Sequence, residues 1–330
     1  MSLQKLFSEK PLVKVCAPMV RYSKLEFRTL VRKYDCDLCF TPMIMADSFV
    51  KSEKARKNEF TTNDKDAPLI VQFAASNVKE FVEATQLVSP YSDGVDLNCG
   101  CPQRWAIELG IGSWLLSDPE LIKNIVLNVK NQVKSDYSVS VKLRLLSDVR
   151  TSVDLCRKIE SAGATFLTVH GRTQKQKTEP VDINSLKEIA CSIQIPLILN
   201  GDVKSLDDAL LMHEITKCQG VMSARGILHN PALFKGYKYT PVQCIEDWVQ
   251  IALDSNLQFR TFHHHLIFML GKVLPKVHRR KVNAMVNYPD VIYFLNQYYD
   301  FDFKLNKFPN ITSTFSDIHS SPGKYFTEVA

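Results

Sequence analysis

The chain has 330 residues, 45% of them hydrophobic and 23% charged, with a formal net charge of +6. That composition is ordinary for a soluble globular protein. It holds no apolar run of the roughly 18–20 residues that a membrane span requires, and its first residues lack the apolar core of a secretory signal. The nine cysteines are an odd number scattered through the chain, as expected of thiols kept reduced inside a cell. A cytoplasmic monomer is expected, with a nuclear pool compatible with the same features.

Apolar runs alternate with amphipathic segments along the first 240 residues. Strands are expected at 13–17 and 38–41, separated by a helix at 24–33. A strand at 69–73 precedes a helix at 78–87, and a strand at 94–98 precedes one at 119–134. The pattern repeats with a strand at 138–143 and a helix at 152–162, then a strand at 165–170 and a helix at 183–190. A strand at 196–200 and a helix at 205–213 follow, and a strand at 220–224 leads to a helix placed after Asn230. Continuous Val, Ile and Leu runs suit strands covered on both faces of a parallel sheet. Eight strands, nearly all followed by a helix, predict a (β/α)8 TIM barrel, a fold of about 250 residues. From 241 to 303 the periodicity is helical throughout, with helices expected at 244–253, 262–274, 279–286 and 288–298. This predicts a catalytic barrel over 1–240, a small C-terminal all-helical domain over 241–303, and a poorly ordered tail over 304–330.

The polar residues are informative by position. Catalytic groups of a barrel come from the C-terminal ends of its strands. There this sequence places Pro18, Met19 and Val20, then Gln72, Asn98, Lys142 with Arg144, and His170 with Arg172. Asn200, Gly201 and Asp202 end the seventh strand, and Ala224 and Arg225 the eighth. Taken singly each has an inert reading, since Asn-Gly is a common turn and a lone His is usually a core residue. Their shared end of successive strands argues for one site. The last two βα-loops of barrels often bind phosphate, which suits Arg225 beside the small Ala224 and Gly226. Lys142 and His170 would then face an electron-rich ring, the description of a flavin mononucleotide (FMN) site. An FMN enzyme acting on a free small molecule and a non-catalytic binding protein remain alternatives at this point.

Asn98-Cys99-Gly100-Cys101-Pro102 follows the fourth strand. Gly100 and Pro102 break the strand there. A thiol held over a pocket at that place is a candidate acid or nucleophile. Cys36 and Cys39 have C-x-x-C spacing, but no second pair completes a zinc site. His263, His264 and His265 are adjacent and would diverge by about 100° on a helix, so no metal site is expected.

Asn98 through Arg104 resembles the N-x-G-C-P signature of the tRNA-dihydrouridine synthases. Ala17-Pro18-Met19-Val20, Thr41-Pro42-Met43, Val71-Gln72, Val141 through Arg144, Val169 through Thr173, Asn200-Gly201-Asp202 and Ala224-Arg225-Gly226 agree with that family in order and spacing. Val15 through Lys24 and Asn98 through Trp105 resemble the eukaryotic branch assigned to uridines 20a and 20b of the tRNA D-loop. The resemblance implies that NADPH or NADH reduces FMN, that the flavin passes a hydride to C6 of a uridine, and that Cys101 donates a proton to C5. It also implies that Pro18, Met19, Val20, Gln72, Lys142, His170, Asn200, Gly201, Asp202, Ala224 and Arg225 bind the cofactor. Two positions depart from the family: Ala224 where Gly is usual, and Glu108 where many relatives carry Lys.

The partner implied is tRNA. Between Asn256 and Tyr288 there are six Lys or Arg, four His and no carboxylate. A phosphate-binding surface is expected to look like this. Lys276, Arg279 and Arg280, with Arg144 and Arg172 at the barrel rim, are the expected RNA contacts.

Overall fold

The computed structural model describes residues 3–133 and 136–303; the tail expected from residue 304 lies outside the described residues. Among these residues nine strands form: β1 (Val13–Cys16), β2 (Leu38–Phe40), β3 (Ile44–Met45), β4 (Leu69–Ala74), β5 (Gly94–Cys99), β6 (Ser138–Leu145), β7 (Phe166–Thr173), β8 (Leu197–Asn200) and β9 (Gly220–Ser223). Every pairing is parallel. Because β1 pairs with both β2 and β9 while β2 also pairs with β4, eight strands close into a barrel. The eight are those expected from the sequence. The ninth, β3, is a two-residue extension that pairs only with Phe73 and Ala74 at the end of β4.

Side-chain polarity explains why the intervening segments are helices. Asn77, Asp118, Asp148, Asp182 and Ser205 each accept a hydrogen bond from a backbone N–H of the first turn of the helix they precede. Such a cap contributes about 1 kcal/mol per helix. The capped helices are Val78–Val88, Pro119–Gln132, Val149–Ser161, Ile183–Ser192 and Leu206–Thr216. Each buries one apolar stripe, for example Ile122, Ile125, Val126 and Val129, against the outward-facing residues of the strands.

The barrel interior divides into two layers. Towards the strand N-termini, Val13, Val15, Leu38, Phe40, Ile70, Phe166, Ile198 and Met222 form an apolar cluster. Leu3, Leu6 and Phe7 of an N-terminal helix, Leu3–Glu9, join that cluster. Phe7 packs on Phe166 with ring centroids 5.4 Å apart. The helix closes the bottom of the barrel. Towards the strand C-termini the same inward register carries polar residues instead: Gln72, Asp96, Asn98, Ser140, Thr168 and Asn200 are buried there. A packed floor under a polar layer confines the chemistry to one end.

The helix expected after Asn230 is displaced. A short helix, Arg225–His229, follows β9 directly, and Leu233–Lys235 adds one 3-10 turn. Asn230 precedes a proline, which disfavours helical backbone at that position, and it is extended with φ −145° and ψ 90°. Its side chain accepts from the Ala232 N–H and donates to the Tyr237 carbonyl.

Four helices follow, Val242–Asp254, Phe259–Leu270, Lys276–Asn283 and Tyr288–Tyr299. The first lies against the barrel helix Leu25–Arg32. Trp248 meets Phe27 edge-on, and Tyr34 donates to the Asp247 carboxylate at 2.7 Å. Cys244, Ile245, Trp248 and Val249 belong to the same buried cluster as Phe27, Leu30 and Val31. The helices begin after residue 240, and the apolar core runs across that point. None of the described helices is long and apolar enough to cross a membrane.

Candidate active site

A cavity of about 650 Å³ opens at the C-terminal ends of the strands. After β1, Pro18, Met19 and Val20 line it; β4 contributes Gln72, β6 Lys142 and Arg144, and β7 His170 and Arg172. The turn after β8 contributes Asn200, Gly201 and Asp202, and the turn after β9 Ala224 and Arg225. Cys101 lines the same cavity. Lys276, Arg279 and Arg280 are not part of it; they are exposed on the helix Lys276–Asn283.

A chain of hydrogen bonds sets the position of Cys101. Asp96 accepts from Ser140 Oγ at 2.7 Å and from Gln72 Nε2 at 2.8 Å. Gln72 Oε1 accepts from Asn98 Nδ2 at 2.9 Å. Asn98 Oδ1 then accepts from the backbone N–H groups of Gly100 and Cys101, at 3.2 and 3.0 Å. The asparagine therefore closes a turn that lifts Cys101 off the strand. Arg144 holds the same turn from the next strand, donating to the Gly100 carbonyl at 2.9 Å and to the Thr173 carbonyl at 3.2 Å. Cys99, two residues earlier, is fully buried among the apolar residues beneath the outer helices. The two thiols thus lie in different environments, one inert and one facing the cavity.

Burial raises the Cys101 thiol above its ordinary pKa, against the opposing pull of Gln103's backbone N–H and the Arg144 and Lys142 charges. It is a thiol at neutral pH. Burial pushes Lys142 down to about 8, assisted by Arg144 and opposed by Asp96 and Cys101. His170 falls to about 2, first from burial and then from the charges of Lys142, Arg144, Arg172 and Arg225. It is neutral, and its Nε2 lies 3.3 Å from Arg172 Nη1. Arg172 can only donate, so Nε2 accepts and the proton resides on Nδ1. Asp96 rises to about 6 through burial, even with its two donors.

The expectation that Arg172 touches RNA does not fit its surroundings. The residue is 2% exposed. It pairs with Asp202 at 2.6 Å, contacts His170 and donates to the Glu179 carbonyl. Those contacts make it an internal brace for the β7 and β8 ends. Burial pushes the Asp202 carboxyl up, but the hydrogen bond and charge of Arg172 hold it below its usual range.

Backbone geometry narrows the β8 and β9 turns. Gly201 and Asp202 both take positive φ, +117° and +53°. A methyl group on Gly226 would stand 2.2 Å from the Val203 carbonyl oxygen, so only glycine fits. Ala224, the departure from the usual glycine, has φ −113°; its methyl group carries no left-handed penalty. Glu108, the other departure, pairs with Arg104 at 2.9 Å across one helical turn, both side chains facing solvent.

The sequence reading did not single out Asp96, Tyr22, Met43 or Lys204 as site residues. Asp96 had a signal: it stands two residues before Asn98 in an otherwise apolar strand, hence on the same inward face. Tyr22, Met43 and Lys204 lie in loops whose course no periodicity reveals. Among the described residues no group of three or more His, Cys, Asp or Glu is placed to hold a metal ion.

Residues 15–290 match the family model for dihydrouridine synthase (Dus). Curated relatives include the human "tRNA-dihydrouridine(20a/20b) synthase [NAD(P)+]-like" protein, 50% identical over 296 residues, which cover 89% of this chain and 93% of the relative. The Schizosaccharomyces pombe tRNA-dihydrouridine(20a/20b) synthase [NAD(P)+] is 45% identical over 271 residues, 82% of this chain and 83% of the relative. The Saccharomyces cerevisiae protein of the same name is 38% identical over 295 residues, 88% and 80% respectively. Among solved structures, the old yellow enzyme from Trypanosoma cruzi superposes with a TM-score of 0.50 at 12% identity, covering 67% of this chain and 86% of that one; this likeness concerns the barrel fold alone. Every strand end that lines the cavity falls inside the matched segment, and the chain belongs to the dihydrouridine synthase family.

Proposed function

We propose that this protein is a tRNA-dihydrouridine synthase that reduces uridines 20a and 20b of the D-loop, with FMN as cofactor and NADPH or NADH as reductant. The observation that carries the reading is the convergence of Cys101, Lys142, His170 and Arg225, from four separate strand ends, on one cavity. The cavity volume falls in the range that encloses a ligand of cofactor size. Its lining fits FMN: Ala17, Met19, Met43, Met222 and Leu228 offer an apolar wall, Gln72, Lys142 and His170 offer polar groups for a ring edge, and Arg225 offers a cation for a phosphate.

When bound and reduced, FMN held by Gln72, Lys142, His170 and Arg225 would supply hydride chemistry at C6 of the uracil ring. The residues of this chain do the rest. Cys101 holds a proton on Sγ and delivers it to C5, so that two hydrogens add across the C5–C6 double bond. Burial keeps that thiol protonated, the state an acid requires. Negative charge grows on the base as hydride arrives, and a positioned acid removes it. Lys142 supplies the positive charge in the layer, while neutral His170 contributes a directed hydrogen bond. Asn98, Gln72 and Asp96 fix the Cys101 turn, and Arg144 braces it. The target base must leave its stack to enter a cavity of this kind.

The test is reduction of tRNA from cells lacking the enzyme by the purified yellow protein with NADPH. Dihydrouridine should map to positions 20a and 20b. Reduction of free uridine at a comparable rate would sink the tRNA reading and favour a small-molecule oxidoreductase.

A further inference from the structure

A second cavity, of about 380 Å³, lies beside the first. Arg172, Asp202, Lys204, Arg225 and Gly226 line both. Its outer wall comes from elsewhere: Lys238 and Tyr239 on the segment joining the barrel to the helices, and Lys272 just after the helix Phe259–Leu270. It therefore forms only where the barrel and the C-terminal helices meet.

Its charge is unbalanced. Arg172 and Asp202 neutralise one another. Arg225 already faces the FMN phosphate in the proposed reading; that leaves Lys204, Lys238 and Lys272, which form no ion pair among the described residues. Lys238 stands 5.6 Å from the Tyr239 ring centroid, a contact that leaves its charge intact. Three like charges around so small a space repel one another, and a multiply charged anion would relieve that repulsion. A phosphodiester of RNA brings one negative charge per residue. A phosphomonoester brings roughly 1.5 to 2, and a pyrophosphate link adds more.

We propose that this second cavity binds the phosphate groups of the nicotinamide dinucleotide reductant, foremost the 2′-phosphate that distinguishes NADPH from NADH. The proposal rests on the reductase reading above. A dinucleotide that places its nicotinamide in the first cavity must leave its adenylate half outside, and the second cavity adjoins the first. Tyr239, 49% exposed, offers an aromatic face for a purine.

The experiment uses the flavin-loaded full-length protein without tRNA and follows bleaching of the flavin in a stopped-flow instrument against NADPH or NADH concentration. The variants are Lys238→Gln, Lys272→Gln and the pair together; both side chains are exposed, and retained flavin colour reports an intact barrel. The pair should raise the apparent Kd for NADPH about tenfold, equivalent to about 1.4 kcal/mol. The limiting reduction rate and the affinity for tRNA should stay within about twofold of the parent. The preference for NADPH over NADH should shrink, because only one of them carries the extra phosphate. Unchanged NADPH affinity with weakened tRNA binding would assign the cavity to the RNA backbone and overturn the proposal. Unchanged affinity for both would show that no phosphate sits there. A parent protein whose flavin neither nucleotide bleaches would instead remove the reductase reading itself.

Discussion

At the scale of single residues, the decisive contrast is between Cys99 and Cys101. Both are cysteines of one pentapeptide, and composition cannot separate them. The Asn98 side chain does, by turning the backbone so that one thiol stays beneath the helices and the other enters the cavity. Removing the Cys101 thiol takes away the acid and little else, since the turn is held through backbone groups. Cys101→Ala should keep the flavin and tRNA affinity but lower dihydrouridine formation on the order of 10²-fold or more. Full activity in that variant would refute the assignment. The pH profile follows from the same groups. In the proposed role Cys101 acts protonated, and its pKa is raised, so its contribution should persist at neutral pH and disappear only well into the alkaline range. Lys142 loses its charge first, near pH 8. Activity should therefore be flat at neutral pH and fall as pH rises through about 8. A profile that rises with pH would mean that a thiolate, not a thiol, does the work.

At the scale of elements, legibility in the sequence tracked locality. All eight barrel strands were readable, because strands covered on both faces must be apolar throughout, and amphipathic segments marked most of the longer helices. The N-terminal helix Leu3–Glu9 was not readable: seven residues are too few for a period, and its apolar side chains matter only because the barrel floor lies behind them. The short helices Ala46–Lys51 and Glu53–Glu59 went unread for the same reason. The strand ends identified the cavity residues, since inward register follows from counting by twos. Arg172 marks the limit of that counting. It lies at the expected place, yet its role is set by Asp202, thirty residues later, which no pattern links to it. Gly112 is a further case. It has φ +64°, and a methyl group there would stand 2.7 Å from the Cys101 carbonyl oxygen and 3.0 Å from its Cβ. The 3-10 turn Gly112–Ser117 thus presses on the Cys101 turn, and the Ser113 N–H donates to the same carbonyl at 2.9 Å. Gly112→Ala should cost about 1–3 kcal/mol of stability and lower kcat by displacing Cys101, with flavin retained. Thermal unfolding and single-turnover rates check the two effects separately; a normal kcat would show that the turn absorbs the methyl elsewhere.

At the scale of the whole molecule, the question is how a barrel site meets a large polyanion. The C-terminal helices share the barrel's core through Trp248, packed among Phe27, Phe262 and His265, so their surface is held in a fixed relation to the cavity. The histidine triplet belongs to this packing. His265 is buried against Phe27 at 4.6 Å, and His263 reaches the Val282 carbonyl at 2.7 Å. With His263 and His265 turned inward, the stretch leaves its Lys and Arg side chains outside. Lys276 and Arg280 are one helical turn apart and face solvent together, whereas Arg279 donates to the Gly271 carbonyl at 3.0 Å. Changing Lys276, Arg279 and Arg280 to Gln should weaken tRNA binding and flatten its dependence on salt. If Lys276 and Arg280 each neutralise one phosphate, the slope of log K against log salt should fall in magnitude by about 1.4–1.8. Arg279 should add less, because part of its guanidinium already serves the protein. The measurement is tRNA affinity across a salt series, read together with flavin reduction by NADPH, which should not change. An unaltered slope would place the RNA on another face and leave Lys276, Arg279 and Arg280 as a solvated surface.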